Sequence, residues 1–129
     1  MLFLGLQLLL LAIFATALVS GYVSAEDVVA SCFTDCTGNR DNNLCNGGYY
    51  YAELSRNYRA KDFCALGCLP NGQALQISYE GISITATKGD VGAGGPSNPK
   101  IDIHITAAIA LGFADCDSFG IRTVTITQV

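Results

Sequence analysis

Tryptophan is absent from this chain of 129 residues, and histidine and methionine occur once each. Charged side chains make up only 14% of it. Seven basic residues against eleven acidic ones leave a net charge of −4. A mildly acidic surface gives nucleic-acid phosphates nothing to neutralise, so DNA is excluded as a partner. No Asn-x-Ser/Thr sequence occurs, so N-glycosylation is not expected. No Gly-x-Ser-x-Gly occurs either, which removes the usual serine-hydrolase signature. With a single histidine, most acid–base constellations lack a member.

What is present in strength is an apolar leader followed by six cysteines. Leu2 to Val19 is almost unbroken hydrophobic sequence, interrupted chiefly by Gln7. Val23-Ser24-Ala25 then has the small residues that a signal peptidase reads. The expectation is a signal peptide over residues 1–25 and a single cysteine-rich domain over 26–129. The apolar stretch is long for a signal core and lacks a basic start, so an uncleaved anchor is the alternative. Cleavage leaves no membrane span in the mature form. All six cysteines follow the leader, so they enter an oxidising compartment and are expected to form disulfides. The protein is read as secreted and extracellular, with no cofactor and no metal.

The mature chain changes character near Pro70. Residues 26–69 hold five of the six cysteines, whereas residues 74–129 are rich in Ile, Val and Thr with a period of two. Val28, Cys32 and Cys36 fall at i, i+4, i+8, which predicts a helix starting at Glu26-Asp27. A second helix is predicted from about Tyr49 to Ala60, with Tyr51, Leu54 and Tyr58 on one face. A short third one follows over Phe63 to Cys68. Leu75, Ile77 and Tyr79 alternate with polar residues, as do Ile82, Ile84 and Ala86. A two-residue turn at Glu80-Gly81 pairs Tyr79 with Ile82, Ile77 with Ile84 and Leu75 with Ala86, so every apolar side chain lands on one side. Lys88 to Lys100, with four glycines and two prolines, is predicted to be a loop. Further strands are predicted at Ile101–Ile105 and Ile121–Val129, and residues 106–114 read as helix or strand. The fold class is therefore α+β: disulfide-stapled short helices packed on a four-stranded, mostly antiparallel sheet. The alternative adds a helix near residues 106–114.

Cys32, Cys36, Cys45, Cys64, Cys68 and Cys116 admit many pairings, and spacing does not choose among them. Clamping two antiparallel helices would join Cys32 to Cys68 and Cys36 to Cys64, leaving Cys45 with Cys116. The doubled Cys-x3-Cys resembles the stapling device of the plant α-hairpinin peptides over residues 32–68. By its leader, about a hundred mature residues, six cysteines and no enzyme motif, the chain resembles the small secreted cysteine-rich proteins of filamentous fungi. These include candidate effectors and killer-toxin-like folds. That resemblance implies a host-facing or competitor-facing role, usually by binding, which would make the protein a virulence or toxin-like factor.

Candidate binding groups are Tyr49, Tyr50, Arg56 and Arg59 on an aromatic and basic surface, and Lys88 and Lys100 flanking the glycine-rich loop. Such groups suit an extracellular protein or carbohydrate ligand. An enzyme reading would place His104 as an acid–base group beside Asp102, or converge Glu80, His104 and Arg122 on a phosphate, as a small secreted ribonuclease-like hydrolase or its inactive relative would. The plainer expectation leaves His104 on the solvated face of its strand, with no favoured catalytic residue. A structural role at a cell wall or surface is the third possibility.

Overall fold

A computed structural model describes residues 24–129. The leader, apart from Ser24 and Ala25, lies outside the described residues. Six strands form a closed barrel: β1 (Ala25–Phe33), β2 (Tyr50–Leu54), β3 (Ala74–Tyr79), β4 (Ile82–Gly92), β5 (Ile101–His104) and β6 (Arg122–Gln128). Their order around the barrel is β1-β5-β2-β4-β3-β6, closing back onto β1. Two pairs are parallel, β1 with β5 and β2 with β4, and the other four are antiparallel. Two short helices, α1 (Ile105–Ala110) and α2 (Cys116–Phe119), connect β5 to β6.

This architecture overturns the α+β expectation. The predicted helices over residues 26–37 and 49–60 are replaced by β1 and β2. The reason lies in the spacing. Residues 28, 32 and 36 are four apart, and four is also a multiple of two, so the same positions satisfy a strand's alternation. Val28 and Ala30 point into the barrel with Cys32 against the core, while Val29 and Ser31 lie on the other face. β-Branched and aromatic residues at Val28, Val29, Phe33 and Tyr49 to Tyr51 fit a pleated surface better than a helix. The predicted third helix, 63–68, is a looped segment.

The hairpin has the pairing that its alternation predicts: Tyr79 with Ile82, Ile77 with Ile84, Leu75 with Ala86. Glu80 and Gly81 both take positive φ, the geometry a two-residue turn requires. The loop expected over residues 88–100 begins later, because β4 continues to Gly92. Gly89 is a bulge that tightens the sheet there: β2 slips register against it between Tyr51 and Ala52. A Cβ at Gly89 would meet the Leu44 side chain at 2.8 Å and the Tyr50 ring at 3.3 Å. Residues 105–110 are helical, as the helical reading of that segment allowed.

All six cysteines are paired, as Cys32–Cys116, Cys36–Cys45 and Cys64–Cys68. None of the three expected pairings forms. The helices they were to clamp do not exist, so each Cys-x3-Cys is free to serve a different connection. Cys64–Cys68 closes on itself, and Cys32–Cys116 ties β1 to α2.

The interior is a continuous apolar core of Val28, Ala30, Tyr51, Leu75, Ile77, Ala86, Ile101, Ile103, Val124 and Ile126, extended by Ala107, Ala108 and Phe119 from the helices. One buried ion pair interrupts it. Glu53 is fully buried and accepts Lys88 Nζ at 2.9 Å. Its two oxygens also accept the backbone N–H groups of Leu66, Cys68 and Leu69 at 2.8, 3.1 and 2.8 Å. Lys88 Nζ donates again to the Leu69 carbonyl at 2.6 Å. A loop of residues 64–69 is thereby latched over that part of the barrel.

Candidate functional site

The site lies on the outer wall. Register places Ser31 of β1 beside Asp102 of β5, Asp102 beside Ala52 of β2, and Ala52 beside Asp90 of β4. Ser31, Asp102 and Ala52 share one face, because their neighbours Cys32, Ile103 and Tyr51 face inward, and the extra residue at Gly89 sets Asp90 opposite Ala52. Two strand spacings separate the backbones of Asp102 and Asp90, roughly 10 Å. Ala52, between the two carboxyl-bearing positions, is itself buried. Ser31 Oγ donates to Asp102 Oδ1 at 2.8 Å. Beside the row a recess of about 290 Å³ opens between Leu54, Gly92 to Gly95, Pro96 and Ile121, with Ser31 and Asp102 at its wall.

Burial pushes the Asp102 carboxyl up to about 6 from an ordinary 3.8, and the negative charges of Asp35 and Asp90 add to the shift while the Ser31 hydroxyl opposes it. Asp102 is therefore a group that exchanges a proton near neutral pH. The folded state holds this proton more tightly than the unfolded chain does. Stability from this group is full below pH 4 and is lost as pH rises through about 6. Asp102→Asn is expected to remove that decline, with a gain of about 1–2 kcal/mol at pH 7 relative to pH 4, compared with wild type. Thermal melts of both proteins across this range check it, and parallel pH profiles for the two would refute it.

His104 departs from the solvated position expected for it. It is fully buried because the segment carrying Asp35 and Cys45 lies over it on the outer face, with Cys45 Sγ 3.9 Å from Nε2. Nε2 lies 3.1 Å from the Asp35 carbonyl, Nδ1 accepts the Thr106 N–H, and the ring packs edge-on against Phe33 at 5.2 Å. These partners fit a neutral ring protonated at Nε2. Burial pulls its pKa down, which favours the neutral ring in the fold, so stability from this group falls as pH drops below the ordinary 6.5. It caps a helix and anchors the segment around Asp35.

The other sequence candidates are dispersed. Glu80 is at the exposed tip of the β3–β4 hairpin. Arg122 sits among Tyr79, Phe113 and Phe119, 4.4 Å from the Phe113 ring centre, and donates to Tyr79 Oη and the Phe119 carbonyl. Neither makes a hydrogen bond or ion pair with His104. Tyr49 is exposed, and Tyr50 is half-buried on the outer wall. Arg56 is exposed and pairs with Asp62 at 2.7 Å, and Arg59 is exposed in the same loop. Lys88 is committed to Glu53 inside the barrel, whereas Lys100 is half-exposed and pairs with Glu26 at 2.6 Å. Ser31, Ala52 and Asp90 escaped the sequence reading, because they become neighbours only when four strands align. The available signal was Asp102 itself, an acid between two isoleucines in a strand whose other face is buried.

Among the described residues no three His, Cys, Asp or Glu side chains gather as metal ligands. No helix among them is long and apolar enough to cross a membrane. No family model matches this chain, and no curated protein matches it.

Proposed function

We propose that this is an exported, disulfide-stapled barrel that binds an extracellular carbohydrate polymer at the recess walled by Ser31 and Asp102. One observation carries the reading: a protonatable carboxyl, hydrogen-bonded to a hydroxyl, on the wall of an open recess. The carboxylic acid of Asp102 both donates and accepts hydrogen bonds, as a sugar hydroxyl does. The glycines at 92, 94 and 95 in the recess lining let backbone groups approach the ligand. Action outside the producing cell, on a host or competitor surface or in a wall, fits three disulfides in a domain of this size.

A ligand lying over Asp102 removes more water from it and so favours the neutral form. Retention on purified wall polysaccharide is therefore expected to be strongest near pH 5 and to fall about fivefold by pH 7. Asp102→Asn should flatten this profile. An absence of retention at every pH, or a profile unchanged by Asp102→Asn, would sink the binding reading.

A second reading, hydrolysis of the bound polymer, is favoured by the separation of Asp102 and Asp90. Two carboxyl-bearing positions roughly 10 Å apart on one face, one with a pKa raised toward neutrality, are the elements of acid–base attack on a glycosidic bond. Release of reducing ends by wild type and its loss in Asp90→Asn distinguish hydrolysis from binding alone.

A further inference from the structure

A second recess, of about 270 Å³, opens on the same outer wall and is lined by the asparagines 42, 43, 46 and 71 together with Tyr50 and Thr87. Tyr50 is two residues before Ala52 on β2, and Thr87 is the β4 partner of Tyr50. The bulge at Gly89 keeps Thr87 and Asp90 on one face although they are three positions apart. The recess therefore lies beside the Asp102 row, offset about 7 Å along β2 by strand rise.

The carboxamides of Asn43 and Asn46 are set rather than loose. Asn46 Oδ1 accepts the Tyr50 hydroxyl at 2.9 Å and the Gly48 N–H at 2.8 Å. Asn43 Oδ1 accepts the Cys45 N–H at 3.0 Å. With these oxygens engaged, the amide N–H groups of Asn43 and Asn46 have no partner among the described residues. Asn71 makes no side-chain hydrogen bond among them either. The Cys36–Cys45 disulfide and the Leu44 N–H to Cys36 carbonyl bond at 2.7 Å hold the segment that carries Asn42 and Asn43. Buried Leu44 anchors it against Gly89.

The lining holds no carboxylate. Its one cation, Lys88, turns its ammonium inward to Glu53. An ion has nothing here to neutralise it. Several N–H donors, a threonine hydroxyl and the flank of a tyrosine ring instead suit a neutral, hydroxyl-rich ring.

We infer that this asparagine recess is a second subsite for the same polymer, holding one neutral sugar unit while the Ser31–Asp102 row holds others. The inference deepens the carbohydrate reading and rests on it. Two anchor points on one wall require a ligand long enough to reach both, so the preferred ligand is an oligomer rather than a single sugar.

The test uses isotope-labelled full-length mature protein and four neutral probes: the hexamers of cellulose, chitin, xylan and laminarin. Nuclear magnetic resonance reads the asparagine side-chain amides and the backbone amides of residues 31, 52, 87, 90 and 102. At least one hexamer is expected to shift both groups, and Asn71→Ala is expected to weaken its affinity about five- to tenfold. Asn71→Ala is preferred to Asn46→Ala, which would also release Gly48 and Tyr50. Shifts confined to the Asp102 row, or an unchanged affinity in Asn71→Ala, overturn the second subsite and leave the row reading standing. Shifts confined to the asparagines overturn the row reading and the shared-polymer inference, leaving a separate sugar site. No shift with any probe overturns both.

Discussion

Glu53→Ala is expected to destabilise the protein by about 3–5 kcal/mol, enough to unfold much of a domain of ordinary stability. The carboxylate it removes is fully buried and accepts four hydrogen bonds. Its loss strands the Lys88 ammonium in the barrel and leaves three N–H groups of the 64–69 loop without their acceptor. Lys88→Met is expected to cost less, about 1–3 kcal/mol, because Glu53 keeps those three N–H donors. The asymmetry is the informative part. Urea midpoints rank the two variants, and hydrogen exchange at Leu66, Cys68 and Leu69 should accelerate in Glu53→Ala well before it does in Lys88→Met. Equal losses from the two substitutions would mean that the ion pair, rather than the amide latch, carries the energy.

Replacing Cys32 and Cys116 together by serine is expected to cost about 4–5 kcal/mol, since the bond spans 84 residues of chain and restricts the unfolded state accordingly. The Cys64–Cys68 bond spans 4 residues, and its removal is expected to cost about 2 kcal/mol. Cys36–Cys45, spanning 9, falls between them. Denaturant unfolding of the three double-serine proteins checks the order. The long link also fixes α2 against β1, and α2 delivers Phe119 to the core. A local role predicts an additional loss of the Phe113–Phe119 contact, 5.0 Å between ring centres, visible in the near-ultraviolet spectrum. An unfolding cost no greater than that of the Cys64–Cys68 variant would contradict the chain-entropy account.

The β3–β4 hairpin and β6 were legible because their information is local. Alternation over six or seven residues names the buried face, and a glycine in the turn completes the register. β1 and β2 were not legible, since four-residue spacing serves a helix and a strand alike. His104 misled for a different reason. Its parity with Asp102 is correct, and Phe33 is its partner on β1, but the segment around Asp35 and Cys45 covers the ring. Of the candidate site, Asp102 was visible as a carboxyl beside a histidine. Its proper companions belong to three other strands.

Composition and order of residues alone thus determined a cysteine-rich chain, its exposed hairpin turn and the face that each late strand buries, because neighbours a few residues apart decide those features. Which cysteines meet, that six strands close on themselves, and that Ser31, Asp102 and Asp90 stand in one line were decided only in three dimensions. Each depends on segments tens of residues apart, and they come together because the barrel must bury the apolar faces of all its strands at once. Neither a Cys-x3-Cys nor an isolated aspartate carries that condition in its own sequence.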